Sequence, residues 1–194
     1  MGMKKGQVKI QGMDIFDASV TYPYPSWFSS GLIGHAKNNQ HGPIFTTTEI
    51  PTGQTFESWT EKYSINAIYS YGKYKKNINL DKFTIYSIAK LMRNCRKENM
   101  NAKALPGSKN NLIMIIYCGR TISNPKIGEI GVFRFTKYKN TYFKIAQQWK
   151  VKSFNSKEVT NISLKQLGVN PKNFNNAKKM LNEVSFSPSL RPMK

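Results

Sequence analysis

The chain has 194 residues, with 30 Lys+Arg against 10 Asp+Glu and a net charge of +20. Its 39% hydrophobic and 12% aromatic content excludes a disordered chain, and the length suits one domain able to bury a core without metals or several disulfides. A field this positive attracts polyanions, and because the basic residues are lysines with only five arginines, diffuse charge attraction is favoured over the forked recognition of bases or phosphates.

The start, Met1-Gly2-Met3-Lys4-Lys5, has no apolar signal-peptide core. We read it as the beginning of an exported protein whose signal peptide has been removed. Residues 8–22 alternate weakly and predict one or two edge strands. Tyr22-Pro23-Tyr24-Pro25-Ser26-Trp27-Phe28 follows, an aromatic–proline cluster that either packs on the core edge or forms an exposed contact surface. Residues 29–43 read as a polar loop; His35 and His41 lack the cysteines or carboxylates that would complete a metal site. Strands are expected at 45–50 and 63–69, separated by the turn Pro51-Thr52-Gly53.

Lys73, Tyr74, Lys75 and Lys76 lie in a loop over 70–79, where lysines alternate with tyrosine rings as an anionic partner would require. Asp81 is the expected N-cap of a helix running from Lys82 to about Asn99. Its apolar stripe is Ile85, Ile88, Ala89, Met92 and Cys95. Leu105-Pro106-Gly107-Ser108 is expected to turn the chain. The run 112–118, apolar on both faces, is expected at the centre of the sheet. Strands at 112–118, 129–136 and 142–152 predict an antiparallel meander, with Lys137, Tyr138 and Lys139 in its second hairpin loop. Asn155 and Glu158 predict a capped helix ending at Gly168. Asn170-Pro171 opens a last helix with Phe174, Ala177, Met180 or Leu181, and Val184 on one face. We read residues 1–194 as one domain, flexible at about 1–7 and 185–194.

Cys95 and Cys118 are the only cysteines. A bond between them would close a loop worth about 3 kcal/mol; buried free thiols are the alternative, and a catalytic thiol would need a histidine brought to it by the fold. No catalytic signature occurs: there is no G-x-S-x-G, H-E-x-x-H or Walker loop. Gly128-Glu129-Ile130-Gly131 is too short to cradle phosphate. The close acid pair suggestive of shared work, Glu57 and Glu61, reads as surface charge. The chain is therefore read as a non-enzyme, with no metal and no cofactor.

The stretch Pro51-Thr52-Gly53-Gln54 and Trp59-Thr60-Glu61 resembles the P-x-G-E and W-T-E segments of a family of small exported proteobacterial proteins. In that family a helix ending in Cys precedes a strand ending in Cys, which implies the Cys95–Cys118 pairing. Here Gln54 stands where the family has an acid. The element order is also similar to Mog1/PsbP-like sandwiches. That resemblance implies an α/β (α+β) fold, an antiparallel sheet with helices packed on both faces, and adaptor or assembly roles.

The function expected from this reading is a secreted or periplasmic non-catalytic binding protein. Its partner would be anionic: an acidic lipid headgroup at a membrane surface, an acidic glycan or an acidic protein face. The contacts would be Lys73, Tyr74, Lys75, Lys76, Lys137, Tyr138 and Lys139. A secreted virulence-type protein of an intracellular bacterium would have such a composition. The alternatives are nucleic-acid binding, which needs the lysines on one face, and an adaptor using the aromatic–proline cluster.

Overall fold

The computed structural model describes residues 10–25, 27, 34–75, 77–108, 110–158 and 163–190. Strands β1 (Ile10–Ile15) and β2 (Ala18–Pro23) form a hairpin. They are followed by β3 (Gly34–His41), β4 (Ile44–Pro51) and β5 (Glu61–Tyr69). Helix α1 (Leu80–Met92) leads to β6 (Met100–Ser108), β7 (Asn111–Cys118), β8 (Ile127–Tyr138) and β9 (Thr141–Lys152), and the chain closes with α2 (Pro171–Glu183) and β10 (Ser185–Pro188). The large sheet has the order β3-β4-β5-β9-β8-β7-β6, antiparallel throughout, and a small sheet has the order β1-β2-β10.

Strand alternation divides the apolar residues into two cores. Tyr63, Ile65 and Ala67 of β5, Ile130 and Val132 of β8, and Phe143, Ile145 and Trp149 of β9 share one face of the large sheet. On them pack α2, through Phe174, Ala177, Met180 and Leu181, and the small sheet, through Ala18, Val20 and Tyr22. Tyr22 stacks on Tyr63 with centroids 5.2 Å apart, and Trp149 meets Phe174 at 5.5 Å. Each such ring removed from water contributes about 2 kcal/mol. The opposite face carries Ile116, Phe133, Phe135, Tyr142 and Ala146 beneath Phe83 of α1.

The expectation of helices packed on both faces needs correction. The molecule is mostly antiparallel strand, with two α-helices among its described residues. A second sheet shares one face with α2, and the single helix α1 covers only part of the other. Of the two forms expected of the aromatic–proline cluster, the packed one is found at Tyr22, Pro25 and Trp27, which are buried. Ser26 and Phe28 lie outside the described residues.

Other boundaries moved for physical reasons. Asn79, not Asp81, caps α1: its Oδ1 accepts from the Lys82 backbone N–H at 2.8 Å. The inward face is Phe83, Thr84 and Ser87, and Ile85 is 68% exposed. Burying Phe83 outweighs burying the smaller Ile85, so the stripe is rotated. The helix stops at Met92 because Cys95 leaves its axis to form a bridge with Thr121. The loop expected over 29–43 is, at Gly34–His41, strand β3, exposed along nearly its whole length and held by its backbone pairing to β4; residues 29–33 lie outside the described residues. Leu105-Pro106-Gly107-Ser108 is the irregular end of edge strand β6, which displaces β7 from the centre of the sheet; β9 holds that place. The helix expected from Asn155 does not form as such. Asn155 Nδ2 donates to Glu158 Oε1 at 2.7 Å, which draws that carboxylate away from the backbone, and only a 3-10 turn at Ser156–Glu158 results. Residues 159–162 lie outside the described residues. The tail expected to fray at Ser185 pairs with β2 as β10.

Arg134 ties α2 to the sheet. Buried on β8, its Nη1 donates to the Leu181 and Val184 carbonyls, both at 2.7 Å, and its Nε and Nη2 donate to Asn111 Oδ1 at 3.1 and 2.9 Å. A guanidinium at the negative end of a helix satisfies carbonyls that have no intrahelical partner.

Candidate binding cleft

The two basic tracts singled out in the sequence lie at one corner of the large sheet. Tyr69 pairs with Thr141, and the Ser70 backbone N–H donates to the Asn140 carbonyl at 2.9 Å, so the 70–79 loop and the β8–β9 hairpin are stitched together. Lys73, Lys75, Lys137 and Lys139 are exposed there; of the three residues expected in the hairpin loop, Lys137 and Tyr138 are the last residues of β8 and Lys139 lies in the turn. Two features weaken the corner as an anion site. Asp17 accepts hydrogen bonds from the Asn140 backbone and side-chain N–H groups at 3.0 and 3.2 Å and from the Thr141 hydroxyl, placing a carboxylate under the hairpin. Tyr138 is committed to the core, stacked on Phe186 at 5.8 Å. Tyr74 lies in a 3-10 turn at Gly72–Tyr74; Lys76 is outside the described residues.

A different basic site lies on the part of the large sheet that α1 leaves uncovered. β5 places Lys62, Ser64 and Asn66 on that face, and β9 places Lys144, Ala146 and Gln148 beside them. In register, Lys62 opposes Gln148, Ser64 opposes Ala146, and Asn66 opposes Lys144. Two adjoining hollows of about 300 and 310 Å³ open over these residues, sharing Trp59, Lys62, Leu91 and Gln148 in their walls. That is the lower end of the size range of small-ligand clefts.

Trp59 is buried at the rim, with Lys62 Nζ 3.8 Å and Lys150 Nζ 4.6 Å from its ring centroid. These contacts are in the range of cation–π attraction. The loop that presents Trp59 is fixed by Gln54. Its Nε2 donates to Thr60 Oγ1 at 2.9 Å, and its Oε1 accepts from the Thr60 backbone N–H at 2.7 Å. Gly53, at φ +89, provides the turn before it.

Burial pushes Lys144 down to about 8, and repulsion from Lys90 and Lys62 adds to it. Lys62 is also lowered by burial and by Lys150, with Glu129 opposing. Among the described residues, Glu129 is the one acid lining the cleft. The cleft is thus a desolvated, positively charged recess with hydroxyl and amide groups on its floor, suited to holding a negatively charged group.

Glu57 and Glu61 do not work together. Glu61 accepts from Gln147 Nε2 on the opposite face of the sheet, and Glu57 is exposed in the loop. His35 and His41 sit six residues apart on β3, about 20 Å along an extended strand, too far to share a ligand. Cys95 and Cys118 form a disulfide with Cα atoms 5.7 Å apart, joining the segment after α1 to the end of β7. Both line the far side of the cleft. Lysines occur on the cleft face, at the hairpin corner, on β3 and on α2, a scatter that counts against a single nucleic-acid groove.

Sequence reading passed over Lys62, Lys144 and Gln148. The signal was present: polar residues recur every second position in strands that are otherwise apolar. Only the β5–β9 register shows that the two polar rows are neighbours.

The fold defined by these sheets is Mog1-like. The chain is similar to the Ran-binding protein Mog1p of Saccharomyces cerevisiae, at 8% identity and a TM-score of 0.51, covering 92% of this chain and 96% of that one. It is also similar to a Mog1 point mutant, at 9% identity and a TM-score of 0.52, covering 91% of this chain and 95% of that one. No family model matches the sequence, and no curated protein matches it significantly.

Proposed function

We propose that the chain is a non-catalytic binding protein that receives an acidic protein surface at the α1 cleft, in an oxidising compartment, periplasmic or secreted. The observation that carries this reading is the pairing of Lys62 and Lys144 in one recess where Glu129 is the sole lining acid among the described residues. Holding two ammonium groups partly out of water is unfavourable unless something neutralises them. An acidic partner does so, and the exposed Lys73, Lys75, Lys137 and Lys139 extend the attraction beyond the cleft. A protein partner is favoured over an acidic lipid or glycan because the similar yeast protein is described as Ran-binding. The disulfide supports the compartment, since such bonds persist where thiols are not kept reduced.

The test measures binding of the whole chain to poly-L-glutamate, heparin and phosphatidylglycerol vesicles between about 0.05 and 0.3 M salt. The expected result is polyglutamate affinity that falls at least about tenfold over that range and depends on Lys62 and Lys144. Salt-independent affinity would overturn the reading. So would heparin or vesicle binding that needs the two lysines when polyglutamate binding does not.

A further inference from the structure

Between Lys62 and Lys144 the sheet carries a small residue. Ala146 is fully buried and lies opposite Ser64. Lys62 stands two residues from Ser64 along β5, and Lys144 two residues from Ala146 along β9, in opposite directions. Their backbones are therefore about 13 Å apart along the strands, yet their ammonium groups still repel one another.

Ser64 and Gln148 are each 6% exposed. Both face the cleft. A serine hydroxyl and a glutamine amide can each donate a hydrogen bond to an occupant.

The charge balance selects among occupants. Lys62 and Lys144 line the cleft, Lys150 stands at its rim on Trp59, and Lys90 of α1 repels Lys144. Against them stands Glu129. The last turn of α1 also brings a partial negative charge to the rim, and Lys90 offsets it there. The remaining excess is larger than one carboxylate neutralises. Trp59, with two lysines close to its ring, is poorly placed to stack a base or sugar.

We propose that the cleft binds a dianionic phosphoryl group, held between Lys62 and Lys144 with Ser64 and Gln148 donating hydrogen bonds to its oxygens. The group is either free phosphate or the phosphate of a phosphorylated side chain on a partner. Lysine serves such groups as a point charge. This inference rests on the cleft being the contact site of the proposed binding protein, and names the chemical group it takes.

The experiment is calorimetric titration of the whole protein at constant ionic strength with inorganic phosphate, O-phosphoserine and N-acetylaspartate, and a parallel assay with phosphatidic acid vesicles. Wild type is expected to bind inorganic phosphate or O-phosphoserine saturably, at least about tenfold more tightly than N-acetylaspartate. K144M and K62M should each weaken that binding about tenfold or more, and S64A, which leaves the charges in place, about threefold. Tighter binding of O-phosphoserine than of inorganic phosphate assigns the group to a partner side chain, and the reverse assigns it to free phosphate. The proposal is overturned by equal affinity for N-acetylaspartate, by absence of saturation, or by binding confined to vesicles and unchanged in K144M. Loss of phosphate binding with retained, cleft-dependent polyglutamate binding would remove the phosphoryl assignment and leave the binding function standing. Far-UV circular dichroism of each variant confirms that it is folded.

Discussion

Replacing Lys144 by Met should make the protein more stable at neutral pH and leave it unchanged at high pH. Burial, reinforced by Lys90 and Lys62, holds Lys144 at about 8, whereas an unfolded lysine lies near about 10.4. The folded chain thus binds this proton less tightly than the unfolded chain. Between about pH 8 and 10.4 the unfolded state carries more protons, so the wild type gains stability as pH rises through that window. Below it the charged ammonium is a standing penalty. The full shift corresponds to about 3 kcal/mol at about 1.4 kcal/mol per unit. Lys144 keeps part of its side chain in solvent, so screening reduces this to about 1–2 kcal/mol. Met keeps the length of the stem and removes the charge. K144M should therefore gain about 1–2 kcal/mol in urea unfolding at pH 7, a rise in Tm of about 3–6 °C for a chain of this size. The gain should vanish by about pH 10.5. No gain at pH 7, or an equal gain at both pH values, would refute the reasoning. Stability gained by removing a charged group is the signature of a residue kept for binding rather than for folding.

Three further outcomes follow from the same structure. R134M should lose about 3–5 kcal/mol in urea unfolding, because it leaves the Leu181 and Val184 carbonyls buried without a donor; a loss under about 1 kcal/mol would contradict the role given to the guanidinium. The C95S/C118S double variant should lose about 3 kcal/mol, and the intact protein should show the mass of a chain short of two hydrogens until reduced; an unchanged mass on reduction would remove the disulfide. Burial raises the Glu49 carboxyl, and the hydrogen bond from Gln11 only partly opposes it. An acid shifted upward destabilises the fold as pH climbs through its range. E49Q should therefore be more stable than wild type at pH 7 and not at about pH 4, as thermal melts at the two pH values would show.

What the sequence made legible was what apolar periodicity encodes. The meander β7-β8-β9, the inward face of β5 at Tyr63, Ile65 and Ala67, and α2 with its Asn170 cap stand where alternation and helical spacing placed them. Strand β3 was not legible. Its exposed sequence, Gly34-His35-Ala36-Lys37-Asn38-Asn39-Gln40-His41, is polar, and only backbone pairing to β4 makes it a strand. Helix α1 showed that spacing alone leaves a helix free to rotate: Ile85 and Phe83 offer competing stripes, and the tertiary pocket for Phe83 between Phe135 and Tyr142 decides. The cleft was hidden for a related reason. Lys62 and Lys144 are 82 positions apart in sequence numbering, and no local pattern states that β5 and β9 are neighbours. The Lys-Tyr-Lys tracts were conspicuous because they are contiguous, yet Tyr138 packs inward and Asp17 offsets the hairpin's charge.

The claim that partner binding is localised at the cleft, rather than spread over a +20 surface, is tested most directly by comparing two double variants with equal charge loss. One is K62M/K144M in the cleft; the other is K165M/K172M, at exposed positions near and on α2. Affinity for poly-L-glutamate at about 0.1 M salt is the readout. The account predicts that the cleft variant loses about tenfold or more and the control variant no more than about twofold. Equal losses in the two would contradict it, and would mean that the attraction comes from net charge alone.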